Sequence, residues 1–370
     1  MVNIEGRIAG AEKSLLQLVK YLHLSHSLSL ACPQTGPLCE SMGRLGITCY
    51  PLPAISAHNY LSPGWLMGWL RWNYRLLRIM MTVRPDLVYA NSFYAVIFLV
   101  LPTLATRGKL IWHARDFIRF GLPIKLCSWF CQRIIAVSRS VRDSLIGQGV
   151  NRDKIEVVYN GVEIDIAKRD QRRKEPNDLN NNSMVFANIG QFVPWKKQIL
   201  FLQAAARIAG ELPHVRFMLV GDDIFQRDLR YKQEILDTIN NLGISEKVAI
   251  VGWQRDMAKI WARVTCLVHT TDVEPFGRVI IEAMAQKIMV IAIDNCGPGE
   301  IIQNNKTGLL VPPNDIKGLS EAMLKVAREP ERARQMAMAG YEYVVHNFSA
   351  DKTARSIEKI YKDVLEGQMT

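Results

Sequence analysis

Short apolar runs separated by helix-length amphipathic segments recur along the whole chain, and that alternation leaves few architectures open. The runs at 27–31, 47–50, 86–90, 110–113, 134–137 and 156–159, and again at 184–189, 216–220, 248–251, 265–269, 289–293 and 309–311, read as strands. Runs of this kind, spaced by helices, are the mark of parallel sheets covered by helices on both faces. The predicted fold class is α/β, with both halves doubly wound.

A length of 370 residues suits two domains, each large enough to bury its own core without disulfides or metals. Residues 167–183 are polar and charged with almost nothing to bury, which predicts a linker. The expected division is 1–166, the linker 167–183, a second domain 184–349, and a final helical segment 350–370. No short-period repeat is present, so the halves share architecture rather than sequence. The opening is unusual. A glycine-bearing loop in residues 1–12 leads straight into a helical segment at 13–22, although a strand should precede it. The first strand of a doubly wound sheet is usually central. It is either missing because the true start lies upstream, or truncated to a stub at residues 2–4.

Charge is distributed unevenly. Residues 1–170 hold 20 of the 46 Lys and Arg but only 11 of the 35 Asp and Glu, so the excess is almost all N-terminal. Such a half suits phosphates, in nucleic acid or on an anionic membrane surface. A nucleic-acid role is disfavoured because no recognised reading module accompanies the charge. The seven cysteines (Cys32, Cys39, Cys49, Cys127, Cys131, Cys266 and Cys296) include no Cys-x-x-Cys pair and lie mostly in apolar stretches. They are expected to be reduced core thiols of a cytosolic protein. No signal peptide is expected from the start of the chain, and the most apolar stretch, 93–105, is too short to span a bilayer.

Chemistry concentrates in residues 266–285. A buried strand ends near His269, a loop carries Glu274, and a helix begins around Gly277 with Glu282 five residues further on. Open α/β sheets bind ligands at this carboxyl edge. Backbone N–H groups near Gly277, with no Cβ to hold a ligand away, suit a phosphate. Carboxylates beside a diphosphate would repel it, so Glu274 and Glu282 point to sugar or ribose hydroxyls, which donate charge-assisted hydrogen bonds. The plainer alternative is acids at a helix start, stabilised by its dipole.

Glu274-x7-Glu282, set in Glu274-Pro-Phe-Gly-Arg-Val-Ile-Ile-Glu282-Ala-Met-Ala, resembles the donor-site signature of the retaining, nucleotide-sugar-dependent glycosyltransferases of family 4, which have the GT-B fold. The likeness covers nearly the whole chain. Gly10-Ala-Glu-Lys-Ser-Leu-Leu resembles the family's first loop and helix, Trp112-His113-Ala-Arg-Asp116 its mid-domain motif, and Asn160-Gly161-Val its domain exit. Ile189-Gly190-Gln191-Phe-Val-Pro-Trp-Lys196-Lys197, Val220-Gly221-Asp222 and Cys296-Gly-Pro-Gly-Glu300 follow in the expected order.

The resemblance implies two Rossmann-like domains facing a cleft, with 1–166 binding the acceptor, 184–349 binding the nucleotide sugar, and the last helix crossing back to the first domain. Glu282 would hold the ribose hydroxyls and Glu274 those of the transferred sugar. The Phe276–Gly277 backbone would approach the sugar, with Arg278 at the helix start. Lys196 would neutralise the leaving diphosphate in place of a metal. Gly190 and Gln191 would border the phosphates; many relatives carry Arg at the position of Gln191, so one phosphate-binding charge is missing, although Gln191 can donate a hydrogen bond. His113 would contact the donor sugar near the reacting centre, and Gly10 would let the first loop approach the donor phosphates. A core histidine, a turn glycine and a solvated lysine pair at 196–197 are the plainer readings.

The implied reaction retains anomeric configuration. The acceptor hydroxyl attacks from the face that the nucleotide diphosphate leaves, and a leaving phosphate oxygen takes its proton. The resemblance therefore implies a hexosyltransferase-type enzyme without metal or cofactor, the nucleotide sugar being substrate. Its setting would be lipopolysaccharide or surface polysaccharide synthesis, with a glycan or lipid-linked acceptor, in the cytoplasm or peripherally on the inner face of the plasma membrane. A nucleotide-sugar epimerase or hydrolase on this fold would need further acid–base residues that cannot be identified. A catalytically inactive partner or scaffold stays open on account of the first strand and Gln191.

Trp65, Trp69 and Trp72 fall at helical spacing on a segment that also carries Arg71, Arg75 and Arg78. One expectation is an interfacial helix that lays this stripe on anionic lipid. The other is a core helix that packs it on the sheet.

Overall fold

The computed structural model describes residues 1–34, 36–54, 63–164, 184–223 and 228–367. The chain forms two compact units, Met1–Glu163 with Ala350–Thr370, and Ile164–Ser349. The linker expected at 167–183 lies outside the described residues.

In the first unit β1 (Ser29–Pro33) pairs in parallel with β2 (Thr48–Leu52). A second parallel group has the order β3 (Leu87–Ala90), β4 (Lys109–Ala114), β5 (Cys131–Ala136) and β6 (Ile155–Val157). Val2 joins the two groups by parallel bridges to Ala31 of β1 and Ala90 of β3. Its N–H donates to the Tyr89 carbonyl at 2.8 Å, and its own carbonyl accepts from Asn91 at 3.1 Å. Val2 therefore occupies the place of the expected central strand, and it is 5% exposed. A side chain buried between two strands fixes this register, because a slip of one residue would turn it to the other face.

The helices of this unit are α1 (Gly10–Leu22), α2 (Leu38–Gly43), α3 (Pro63–Val83), α4 (Phe93–Thr106), α5 (Leu122–Trp129) and α6 (Arg139–Gly147). The C-terminal helix Ala350–Glu366 belongs to the same unit. Its buried residues Ala354, Ile357, Tyr361 and Val364 repeat at helical spacing, and they share a core with Leu15, Leu18 and Leu22 of α1 and with Tyr89, Ile111 and Ile135 of the sheet.

On α3 the tryptophans face inward, which corrects the expectation that Trp65, Trp69 and Trp72 meet a membrane. Trp72 is fully buried, lies 4.8 Å from the Phe98 ring of α4, and donates its indole N–H to the Pro53 carbonyl at 2.9 Å. Trp65 stands 6.4 Å from the same ring, and Trp69 donates to the Ile97 carbonyl at 3.4 Å. Burying a tryptophan removes about 150–250 Å² from water, worth about 4–6 kcal/mol at about 25 cal/mol/Å². The neighbouring helix supplies the apolar surface and the carbonyl for Trp69, and the segment after β2 supplies the carbonyl for Trp72. Arg71, Arg75 and Arg78 are exposed.

The second unit is one six-stranded parallel sheet in the order β12-β11-β10-β7-β8-β9. Its strands are β7 (Met184–Ile189), β8 (Val215–Val220), β9 (Val248–Gly252), β10 (Cys266–His269), β11 (Met289–Ile293) and β12 (Leu309–Val311). Every residue of β10 and β11 is buried, as continuous apolar runs between two helical layers require. The helices are α7 (Gln198–Ala209), α8 (Leu229–Asn241), α9 (Met257–Trp261), α10 (Arg278–Met284), α11 (Cys296–Ile301), α12 (Ile316–Arg328) and α13 (Pro330–Asn347). The chain leaves β7 for β8 on one side and later returns to β10 on the other. The β7/β10 border is thus the switch point at which such sheets open a crevice.

Candidate active site

The loops that follow β7 and β10 are laced together at that border. Asn188, near the end of β7, donates its amide to the Val268 carbonyl at 2.8 Å and to Thr270 Oγ1 at 2.9 Å. Thr270 in turn donates to the Lys196 carbonyl at 2.9 Å, and the Asp272 N–H to the Trp195 carbonyl at 3.0 Å. The turn carrying Lys196 is thereby held against the strand end carrying His269. Gly190 lies beneath the lysine, where an added Cβ would stand 3.7 Å from Lys196 Cδ. Gly221, at φ +146°, brings the end of β8 so close that a Cβ there would fall 1.8 Å from the Gly190 carbonyl oxygen.

Lys196 Nζ lies 2.6 Å from Glu274 Oε2, and His269 Nε2 lies 3.4 Å from the same oxygen. Burial pushes the Glu274 carboxyl up, but the Lys196 charge and the His269 hydrogen bond outweigh it and hold the group well below the usual carboxylate range. Thr271 Oγ1, 3.1 Å from His269 Nε2, steadies the ring. The Glu274 carbonyl accepts the Gly297 N–H at 3.0 Å. A Cβ on Gly297 would come within 2.4 Å of Phe276 Cα, so only glycine lets the start of α11 sit on this loop. Phe276 is buried, its ring 5.9 Å from that of Phe348. Gly277, at φ +101°, turns the chain into α10, where Arg278 Nη2 pairs with Glu282 Oε1 at 3.0 Å. The carbonyl of Gln191 accepts from Gln198 Nε2 at 2.8 Å.

Gly190, Gln191, Lys196, Glu274, Phe276, Gly277, Arg278 and Glu282 thus all occupy the carboxyl edge of the second sheet or the helix leaving it. His113 and Gly10 belong to the first unit. Gly10 is exposed at the start of α1, with no atom within 4 Å of a Cβ built on it, so packing does not require glycine there.

His113, near the end of β4, is buried. Its Nδ1 hydrogen-bonds to Tyr89 Oη, and its Nε2 has no hydrogen-bond partner among the described residues. Burial, then the charge of Arg115, pushes the imidazole well below its ordinary range, so it is neutral. The ring borders a small pocket with Ser14, Gln17, Arg115, Asn160 and Thr353.

Arg115 is itself buried and spends its guanidinium on three neighbours, Asn91 Oδ1 at 2.7 Å, Asn160 Oδ1 at 2.9 Å and Tyr89 Oη at 3.2 Å. Asn91 passes the network to Asn3 at 2.9 Å, and Asn3 to Glu12 at 3.2 Å. Burial raises the Glu12 carboxyl, although the Ala9 N–H, Asn3 and Arg115 oppose the rise.

Sequence reasoning assigned no role to Asn3, Glu12, Asn91, Arg115, Asn160, Asn188, His269, Thr270 or Gly297. The available signal was a polar residue directly at the end of an apolar run, which fits Asn91 alone.

A domain of this architecture, with paired carboxylates at the switch point, is what family comparison matches. The Glycosyltransferase Family 4 family matches residues 8–166, and the Glycosyl transferases group 1 family matches residues 169–343. The chain belongs to the family 4 glycosyltransferases, which have the GT-B fold. It is 29% identical over 252 residues to the N-acetyl-alpha-D-glucosaminyl L-malate synthase of Bacillus anthracis, covering 68% of this chain and 63% of that protein. It is 30% identical over 190 residues to the lipopolysaccharide core biosynthesis glycosyltransferase LpsE of Rhizobium meliloti, covering 51% of each. The chain therefore spans between half and two thirds of the length of these relatives. Among solved structures, Anabaena Alr3699/HepE in complex with UDP and glucose superposes with a TM-score of 0.81 at 22% identity, over 98% of each chain.

Proposed function

We propose that the protein transfers a sugar from a nucleotide-sugar donor to a glycan or lipid-linked glycan acceptor in lipopolysaccharide or surface polysaccharide synthesis, with retention of anomeric configuration and without a metal. The observation that carries this reading is Glu274, kept ionised between Lys196 and His269 at the switch point of the second sheet. An ionised carboxylate accepts hydrogen bonds from sugar hydroxyls, and the adjacent ammonium is placed to stabilise charge that develops on a leaving phosphate. Glu282 serves the ribose hydroxyls and is paired with Arg278 in the free chain.

In the transfer, the bond between the anomeric carbon and the phosphate oxygen breaks while the acceptor oxygen forms the new glycosidic bond. The acceptor proton passes to a leaving phosphate oxygen. His113 is neutral and has an unused Nε2, which suits a hydrogen bond to a sugar hydroxyl rather than charge stabilisation. The LpsE relative supports the polysaccharide setting, and the UDP in the HepE complex puts a uridine donor first among candidates. Peripheral attachment to the inner face of the plasma membrane is part of the same reading.

The test is thermal unfolding of the full chain with UDP, GDP, ADP and their sugars, followed by turnover. A ligand at about 100 times its Kd adds about 2.7 kcal/mol of stability. One nucleotide should raise the midpoint, Glu282→Ala should abolish the rise, and Glu274→Ala should mainly slow transfer. A cooperatively folded protein that responds to no nucleotide would overturn the reading.

A further inference from the structure

The inward turn of the tryptophans leaves a different face of α3 to account for. At 100° per residue the helix divides into three sectors. Trp65, Trp69, Trp72 and Leu76 occupy the core side. Leu66, Leu70, Tyr74 and Met81 fall in an adjoining sector about 100° wide, and are 53%, 48%, 61% and 62% exposed. Arg71, Arg75 and Arg78 fill the sector beyond, also exposed.

Acids are absent from the three helices that carry this surface. Neither α3 nor its neighbours α4 and α5, which pack beside one another in that order, contain an Asp or Glu. Across residues 41–142 there are 13 Lys and Arg and only two carboxylates, Asp86 and Asp116. Apolar residues are exposed on the other two helices as well, at Leu104, Leu122 and Trp129.

We propose that the outer face of α3, continued over α4 and α5, docks on a bilayer bearing anionic lipid headgroups. The apolar sector would enter the boundary between headgroups and acyl chains, and the three arginines would reach the phosphates beside it. An apolar sector flanked by cations on one helix is the arrangement that interfacial helices use. A partner protein of ordinary composition would offer no reason to remove every acid from three successive helices, whereas a continuous negative surface does. Among the described residues no helix is long and apolar enough to cross a membrane, so α3 lies along the surface. The proposal deepens the membrane part of the function above and rests on that part alone. It is read without donor or turnover, so its failure would leave nucleotide binding untouched.

The experiment is co-sedimentation of the full chain with vesicles of phosphatidylcholine alone and with phosphatidylglycerol added at about a third of the lipid. Binding should require the anionic lipid and weaken with salt. Arg71→Gln, Arg75→Gln and Arg78→Gln together should lower the partition coefficient about 100-fold, from roughly a fivefold loss per arginine near the surface. Leu70→Glu with Tyr74→Glu should abolish binding. Both variants change exposed side chains and should keep the parent's thermal midpoint and nucleotide response, which separates lost docking from lost folding. Equal binding to neutral vesicles, no binding to either, or binding that both variants retain would overturn the proposal. A dimer in size-exclusion chromatography that Leu70→Glu with Tyr74→Glu dissociates would assign the face to a second copy of the chain instead.

Discussion

Replacing Lys196 by methionine removes the nearest cation from Glu274 while keeping most of the side-chain volume. The ammonium and carboxylate stand 2.6 Å apart with 24% and 13% of their side chains exposed. At an effective dielectric of about 20 their attraction is about 6 kcal/mol, much of it offset by the cost of taking both from water. Removing one partner leaves that desolvation cost on the other, and His269 alone cannot replace a full charge. The expected loss is about 3 kcal/mol at neutral pH, the low end for a broken buried pair. For a unit of this size that lowers the midpoint by about 6–12 °C.

The loss should depend on pH in one direction. In the parent the folded pKa of Glu274 is depressed, so the group contributes stability above its unfolded value of about 4.3 and loses it only as pH falls through the lower folded value. In Lys196→Met burial is opposed only by His269, the folded pKa rises, and acid relieves the penalty by protonating the carboxyl. The difference between parent and variant should therefore shrink from pH 7 to pH 4. Calorimetry of both across that range measures it, and adding Glu274→Gln to Lys196→Met should restore part of the stability at pH 7. A variant as stable as the parent at pH 7, a difference unchanged by acid, or a double variant no better than the single would refute the reasoning.

Two other substitutions probe the geometry. Gly297→Ala forces a Cβ to within 2.4 Å of Phe276 Cα and should cost about 1–3 kcal/mol or more, measured as a lower midpoint together with a weaker response to nucleotide. His113 has a folded pKa below its unfolded value of about 6.5, so its contribution to stability is complete above that pH and is lost as pH falls below it. His113→Gln should flatten that part of the acid-side fall, followed by hydrogen exchange in peptides of the first unit; an unchanged slope would show that the imidazole takes up its proton freely.

The sheets were legible because their signal is local. Runs such as 184–189, 289–293 and 309–311 coincide with the observed strands, since a fully buried parallel strand must be apolar on both faces. The corner from Glu274 to Glu282 was legible for a related reason, as its glycine, carboxylates and helix start are contiguous in the chain. The orientation of α3 was not. Tryptophan at helical spacing marks a face without saying what covers it, and Phe98, which does so, lies 26 residues beyond Trp72. The polar network of the first unit was hidden for the same reason. Asn3 and Asn91 are 88 residues apart, and each alone is an ordinary polar residue in a loop.

The pairing of both carboxylates with cations in the free chain has a consequence for ligand binding. Glu274 faces Lys196 and Glu282 faces Arg278, so each acid in the crevice of the second unit has a cation beside it. Under the proposed function, a nucleotide sugar would bring hydroxyls for the acids and a diphosphate for the cations. Each pair can therefore exchange part of its internal attraction for a contact with the donor. The rearrangement is small, because Asn188, Thr270 and the Gly297 N–H fix the backbone around Glu274 and Lys196 independently of the ion pair. Arg278→Met should act on nucleotide binding through Glu282, leaving without its cation an acid whose side chain is 22% exposed, while the backbone of the crevice stays as it is. A Kd for the nucleotide raised together with a lowered thermal midpoint of the free chain is the expected result, and an unchanged Kd would show that the pair does not serve the nucleotide.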